Sequence, residues 1–311
     1  MRIWKMKDSP LVYLIILCWN GKKWLELCLS TVLATDYPNF KVVVVDNNSS
    51  DDSREFIKNH FPEVELIANK KNLGCAEGNN VGIRHALTNG ADYMILLNQD
   101  IKVEPSWLSE LIKVAEEDKK IAVLSPIQYD YEGKEIDPNC LGLLMSNNQF
   151  KEDYRRNKIQ NIYYLERVIS ATMMISRELV NRIGFMDPLY FCYHDETDFC
   201  RRALFHGYKI VCVTKSIAYH FHGLLHDTSM SSKCRFLLLR NSFLYILKNP
   251  SKSFWKNLFI SYTWGGLNII FRSGSLLHIK FILNIIYIQV WILIRLPLIA
   301  FSHFKDRHIH N

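Results

Sequence analysis

Val43-Val44-Val45-Asp46-Asn47-Asn48-Ser49-Ser50-Asp51 runs three β-branched residues into a carboxylate, two amides, two hydroxyls and a second carboxylate. Its apolar part shows no polar alternation, so both faces need cover, the pattern of a strand in a parallel sheet with helices on each side. Ligands of such sheets bind beyond the carboxyl ends of the strands, where the polar part falls. Asp46 and its amides can hydrogen-bond a base edge and a ribose. Asn and Ser equally suit a turn that leads into a helix cap.

The same pattern recurs on either side. Residues 11–17, 41–45, 64–67 and 93–97 predict strands, and helical patterns lie between them. One helix follows Asn20 and carries Trp24, Leu25, Leu27, Cys28 and Val32. A second has a cap-like Asp52-x-x-Glu55 start with Phe56, Ile57 and Phe61 on one face. A third runs from about Ala76 and stops at Gly90. The repetition predicts an α/β fold with a Rossmann-like, mostly parallel sheet flanked by helices. A helix at 106–117, strands at 121–125 and 171–175, a helix from Asp195 to about His206 and a strand at 208–213 follow. The polar stretch 129–164 reads as an acceptor-side loop or a plain surface excursion.

At 311 residues, 49% hydrophobic and 22% charged, with 13 Gly and 9 Pro, the chain lies outside the disordered, collagenous and disulfide-scaffold classes. The charge is unevenly spread. Residues 228–311 hold 11 of the 38 Lys and Arg and one acid, Asp306, for a net of +10, which leaves −3 on residues 1–227. Two domains are expected with that boundary. The basic tail is also apolar and aromatic, which favours an anionic membrane surface over nucleic acid. Within it, 281–301 is 21 residues long but contains Asn284, Gln289, Arg295 and Pro297, so helices lying in the interface plane are expected rather than a span. The eight cysteines form no Cys-x-x-Cys pair and point to a reducing, cytoplasmic compartment. Met1 to Lys7 and the apolar run after it imitate a signal peptide, but Asn20-Gly21-Lys22-Lys23 offers no cleavage site, and a first strand is expected.

Four further segments carry chemistry. Asn72-Leu73-Gly74-Cys75-Ala76-Glu77-Gly78-Asn79-Asn80 places glycines and asparagines at a helix start, where free N–H groups suit a nucleotide. Leu97-Asn98-Gln99-Asp100 ends a buried strand; Asp100 can hold a divalent cation while Asn98 meets a ribose or a bound water, and a turn Asp is the plain alternative. Asp195-Glu196-Thr197-Asp198 opens a helix with three acids in four residues. Asp198 faces Arg201 and Arg202 at helical spacing, and Asp195 or Glu196 can act as a general base in a cleft. Tyr219-His220-Phe221-His222 offers two imidazoles, either packed or completing the Asp100 site.

Taken in order, Ile15-Ile16-Leu17-Cys18-Trp19-Asn20-Gly21, Val44 to Ser50, Asn72 to Asn80, Leu97 to Asp100, Asp195 to Phe199 and Tyr219-His220 resemble a family 2 glycosyltransferase with the nucleotide-sugar-binding GT-A fold. The likeness covers about residues 10–225 and is strongest to bacterial rhamnosyltransferases and related surface-polysaccharide enzymes. It implies a nucleoside-diphosphate sugar donor bound by Asn20, Asp46, Asn48, Asn72, Gly74, Asn79 and Asn98. It also implies Mg²⁺ or Mn²⁺ held by Asp100 with His220, His222 being the fallback, and a base at Glu196 with Asp195 beside it. Asn98 stands where a full Asp-x-Asp would have its first acid, which implies weaker metal binding. The acceptor implied is a glycan, often lipid-linked, which agrees with the basic tail. Lys233, Arg235, Arg240, Lys248, Lys252 and Lys256 would meet headgroups, and Trp255, Trp264 and Trp291 would sit at the interface of the inner membrane face. Two other functions fit the same sequence: a sugar transferase acting on polyprenyl phosphate, and a catalytically silent nucleotide-binding membrane adaptor that would tolerate loss of Asp100, Asp195 and Glu196.

Overall fold

Both faces of the run VYLIILC are covered, with only Leu17 partly exposed. In the computed structural model, which describes residues 9–221, 231–260 and 279–308, this run is β1 (Val12–Cys18). Next come α1 (Lys22–Leu33), β2 (Phe40–Asp46), α2 (Ser53–His60), β3 (Glu65–Ala68), α3 (Gly74–Thr88) and β4 (Tyr93–Asn98). β1 pairs in parallel with β2 and with β4, and β2 in parallel with β3. Leu14, Ile16, Val44, Ile95 and Leu97 pack under Leu25 and Leu29 of α1 on one face. Tyr13, Ile15, Val43, Val45 and Leu96 pack under Ala76 and Ile83 of α3 on the other. Two-sided burial is therefore the physical reason for the unbroken apolar runs.

The chain continues through β5 (Ile101–Val103), α4 (Trp107–Glu117), β6 (Ile121–Asp130), α5 (Pro138–Leu144), α6 (Asn148–Arg155), β7 (Ile162–Tyr164), β8 (Thr172–Ser176), α7 (Arg177–Ile183), α8 (Asp195–Phe205) and β9 (Lys209–His220). Among the described residues these complete a nine-stranded sheet in the order β3-β2-β1-β4-β8-β6-β9-β5, with β7 also on β9. β8, β5 and β7 run against the other six strands, so the sheet is mostly parallel, as expected.

Three expectations are corrected. Asp52 stands at the N-cap of α2 with Glu55 in the first turn, but its side chain makes no cap bond; its carboxylate pairs with Lys22 at 2.8 Å, because the start of α1 lies beside it, and Asp51 accepts from Ser53 N at 3.1 Å. Residues 129–164 are neither a bare loop nor an excursion. Cys140, Leu144, Phe150 and Tyr163 form a small core against Ile127 and Cys212, with Asp153 accepting from Tyr163 Oη and Gln160 Nε2 at 2.8 Å each. Elements of seven, eight and three residues are too short to show periodicity. Finally, β9 extends to His220, past Lys215 and Ser216, because a register shift against β6 at Pro126/Ile127 absorbs the break.

The chain packs as two units, residues 1–191 with 195–224, and residues 192–194 with 225–311. The second contains α9 (Ser232–Leu247), α10 (Phe254–Ile260) and α11 (Ile279–His308). Asn284–Asp306 has a mean hydropathy of 1.9 and is long and apolar enough to cross a membrane. It is also two-faced. Ile288, Ile292, Ile299, His303 and Asp306 are buried, while Tyr287, Leu293, Ile294, Leu298 and Phe301 form an exposed apolar stripe. Two of the expected headgroup cations face inward instead. Arg240 bonds to Asn241 and lies 4.7 Å from the Trp291 ring, and Lys248 is fully buried 3.5 Å from Asp306, since an unpaired cation there would be left desolvated. Trp264 and His222 lie outside the described residues.

A Cβ on Gly82 of α3 would lie 2.3 Å from Ile15 Cγ2 in the centre of the sheet, whereas one on Gly142 of α5 would meet nothing within 4 Å. Gly82→Ala is expected to lower unfolding free energy by about 1–3 kcal/mol through overpacking. Gly142→Ala should be neutral or raise it by about 0.5–1 kcal/mol. Urea denaturation of both variants checks the contrast.

Candidate active site

The carboxyl ends of the parallel strands bring the predicted residues to one end of the sheet, with Cys18 opposite Asp46 and Leu17 opposite Asn98. The loops beyond them are laced together. Gln99 accepts from Trp19 N at 2.8 Å and donates to Trp19 O at 3.3 Å. Asn20 N donates to Ser49 Oγ at 2.9 Å, and Asn20 Oδ1 accepts from Ser50 N at 2.8 Å. Asn20 and Asn48 sit at φ +51° and +66°, a region that Asn tolerates better than other side chains.

Asp46 is fully buried, accepts from Ser49 N at 3.2 Å and pairs with Arg54 Nε at 2.5 Å. Arg54, on α2, went unnoticed in the sequence because only the fold sets it beside Asp46. Asn48 stays exposed, its Oδ1 3.5 Å from Arg54 Nη2. The asparagines of the next segment divide. Asn72 Oδ1 accepts from Asn47 Nδ2 at 3.1 Å and from Gly74 N at 2.8 Å, and Asn47 Nδ2 also donates to Gly74 O at 3.0 Å. Asn80 is tied to Met186 by two bonds of 2.8 and 3.1 Å. These amides build the frame. Asn79, by contrast, is 6% exposed, and its Oδ1 has no hydrogen-bond partner among the described residues. Gly74, at φ +80°, faces Phe191, and a Cβ there would lie 2.3 Å from Phe191 O.

Asn98, Asp100 and His220 converge. β5 pairs with the end of β9, Ile101 opposite His220, and Phe221 N donates to Asp100 O at 3.1 Å. Asn98 Nδ2 lies 3.4 Å and Asp100 Oδ1 3.6 Å from His220 Nε2. Phe221 is held by Trp24, centroids 4.1 Å apart, and by Tyr131 at 5.5 Å. Among the described residues no three His, Cys, Asp or Glu side chains cluster as a complete metal cage. The donor set present, one carboxylate oxygen and one imidazole nitrogen, fits a Mg²⁺ or Mn²⁺ ion that takes its remaining oxygens from a diphosphate and water. Beside Asp100, burial, with the Asp100 charge adding to it, pushes the Cys28 thiol up to about 12. Burial likewise raises Cys18 to about 11.

The acids of α8 also divide. Asp198 is fully buried, accepts from Tyr190 Oη at 3.0 Å, and pairs with Arg201 at 2.7 Å and Arg202 at 3.0 Å. Arg202 in turn donates to Ile183 O and Phe185 O. Asp195 is 2% exposed, whereas Glu196 is half-buried and accepts from Thr197 Oγ1 at 3.1 Å. Asp187 caps a 3₁₀ turn by accepting from Leu189 N at 2.9 Å. Just before α8, Phe191, Tyr193 and His194 all lie at positive φ, +63°, +70° and +66°, a strain of order 1–3 kcal/mol each.

The mostly parallel sheet flanked by helices is the GT-A fold of sugar transferases. The chain belongs to glycosyl transferase family 2, whose family model matches residues 13–184, more than half its length. It is 27% identical to a dTDP-rhamnosyl transferase of Shigella flexneri over 76% of this chain and 80% of that one. It is 22% identical to the N-acetylglucosaminyl-diphospho-decaprenol L-rhamnosyltransferase of Mycobacterium tuberculosis over 73% and 80%. Among solved structures, the Pyrobaculum calidifontis mannosyltransferase in complex with GDP-Man and Mn²⁺ shares the fold at a TM-score of 0.56 and 15% identity, over 97% of this chain and 88% of that one.

Asp46→Ala is expected to lower stability by about 1.5–3 kcal/mol, the loss of a charge-assisted bond to Arg54. Asp100→Ala, at a partly exposed and loosely bonded position, should stay within about 0.5 kcal/mol of wild type. Denaturation midpoints of the two variants separate framework from ligand-facing carboxylate.

Proposed function

We propose that the chain is a metal-dependent inverting glycosyltransferase that moves a sugar, rhamnose foremost, from a nucleoside-diphosphate donor to a hydroxyl of a lipid-linked glycan in cell-surface polysaccharide synthesis. The observation that carries this is the convergence of Asn98, Asp100 and His220 at the carboxyl edge of the sheet, two strands from Asp46. Two relatives that transfer rhamnosyl groups, one named for a diphospho-decaprenol substrate, support donor and acceptor.

In this proposal Asn20, Asp46, Asn48 and Asn98 bind the nucleoside side of the donor. Asn72 and Gly74 shape that pocket through their bonds to Asn47, and Asn79 offers it an unpartnered oxygen. Asp100 and His220 would hold Mg²⁺ or Mn²⁺, which when bound neutralises charge on the departing diphosphate. Glu196 takes the proton of the acceptor hydroxyl as its oxygen attacks the anomeric carbon from the face opposite the diphosphate. The C–O bond to the diphosphate breaks, its electron pair leaves with the nucleoside diphosphate, and configuration inverts. Glu196 suits this better than Asp195 because a base must reach the substrate, and Asp195 is buried.

Donor hydrolysis across a panel of nucleotide sugars, with and without Mn²⁺, tests this. One donor is expected to release nucleoside diphosphate in a metal-dependent way, with the release lost in Asp100→Ala. Transfer to an acceptor should fall about 10²- to 10⁴-fold in Glu196→Gln. Failure to bind or turn over any nucleotide sugar or nucleoside diphosphate would favour a silent adaptor.

We further propose that the protein works as a peripheral enzyme on the cytoplasmic face of the membrane. Exposed Lys233, Arg235, Lys252 and Lys256 suit anionic headgroups, and the stripe through Leu293, Ile294 and Phe301 suits the acyl boundary. Sedimentation with phosphatidylglycerol vesicles is expected for wild type. It should be lost when Leu293, Ile294 and Phe301 are changed together to Ser, substitutions that remove no buried side chain.

A further inference from the structure

We propose that Asn241 of α9 is a positioning residue for transfer: it holds the backbone that leads directly into Asp195 and Glu196 and thereby sets where Glu196 stands. The inference deepens the assignment of Glu196 as the base and rests on it.

Residues 191–194 need holding. Three of these four residues bear a side chain beyond Cβ and yet occupy the left-handed region, and none of the three is the Asn or Gly that tolerates it. Such a run persists only where its surroundings over-determine it. Phe191 O is fixed by Cys75 N at 2.5 Å and Ala76 N at 3.2 Å. The remaining residues, Cys192–His194, are held from α9. Asn241 Nδ2 donates to Cys192 O and to Tyr193 O, 2.7 Å each. Ser242 Oγ lies 3.4 Å from His194 Nε2, and the Tyr245 ring stacks on His194 with centroids 5.8 Å apart.

The amide is itself oriented. Arg240 donates from Nε at 2.9 Å and from Nη2 at 2.7 Å to Asn241 Oδ1. A guanidinium has no acceptor, so the oxygen of Asn241 must face it and both hydrogens of Nδ2 remain for the two carbonyls. The Arg240 guanidinium lies 4.7 Å from the Trp291 ring, which fixes its plane. Both residues are shielded, Asn241 fully and Arg240 at 8% exposure. Asn is a poor choice for the middle of a 16-residue helix on propensity alone, so its place in α9 is explained by the carbonyls it serves. Immediately after His194 the chain enters α8 at Asp195. Releasing the carbonyls frees 192–194 to relax toward negative φ, which redirects the first turn of α8 and the Glu196 carboxylate with it.

The test compares full-length wild type with Asn241→Asp, Arg240→Met and Glu196→Gln. Asn241→Asp keeps shape and an acceptor for Arg240 but has no N–H for the carbonyls; Arg240→Met keeps both donors but lets the amide rotate. Turnover of dTDP-rhamnose with Mn²⁺ is followed alongside hydrogen exchange of residues 192–196, a readout that needs no substrate. Expected for Asn241→Asp are a kcat at least tenfold down, a donor KM within threefold of wild type, and exchange at 192–196 at least tenfold faster while β1 is unchanged. Arg240→Met should shift both in the same direction by less, and it serves if Asn241→Asp fails to fold. Unchanged exchange at 192–196 overturns the proposal, as does a kcat within twofold of wild type, or a loss of kcat matched by an equal rise in donor KM. Full transfer activity in Glu196→Gln overturns the base assignment instead, and does so independently of the exchange result on Asn241.

Discussion

Only Gln99 and Asp100 separate β4 from β5, and that short connection shapes the active end of the molecule. From Asn98 to Ile101 the chain spans at most about 10–11 Å. In a flat sheet, β5 would lie four strand spacings from β4, across β8, β6 and β9, about 19 Å away. The sheet must therefore curl until the end of β9 returns over β4, and the 3.4 Å approach of Asn98 to His220 records that closure. Asp100 stands on the connection itself, so its meeting with an imidazole 120 positions later follows from a length constraint rather than from local sequence. Gln99 completes the arrangement by pairing with the Trp19 backbone, which keeps the β1 loop at the same edge.

Amides dominate this edge, and their roles differ although their residue type does not. Asn47, Asn72 and Asn80 spend their donors and acceptors on the protein's own backbone and on each other, so that three connections become one rigid frame. A buried amide left unsatisfied is unfavourable, and a frame of satisfied ones is correspondingly hard to deform. Asn79 and the outward-facing Asn48 stand apart from that frame. The acids of α8 follow the same logic: Asp198 is consumed by two arginines and a tyrosine.

The helical unit combines buried charge with exposed apolar surface, the reverse of a simple soluble helix pair. Lys248 and Asp306 pair inside while Ile294 and Phe301 face out. The same unit includes residues 192–194, so the strained backbone before α8 is held by helices the sequence would place in an appendage.

Much was legible from the chain alone. Unbroken apolar runs at 11–17, 41–45 and 93–97, repeated with helical patterns between them, read as strands of a parallel sheet covered on both faces, and the fold has them so. Helix spacing likewise pairs Asp198 with Arg201 and Arg202. These are local consequences of an unbroken apolar run and of a 3.6-residue period. The partnership of Asp46 with Arg54, the division among Asn47, Asn72, Asn79 and Asn80, the inward turn of Arg240 and Lys248, the short elements of 129–164 and the grip of Asn241 on residues 192–194 were decided by tertiary structure. Each depends on which atoms the packed fold brings within about 3 Å of a polar group, and hydrogen-bond satisfaction at that range carries no signature in residue type or spacing.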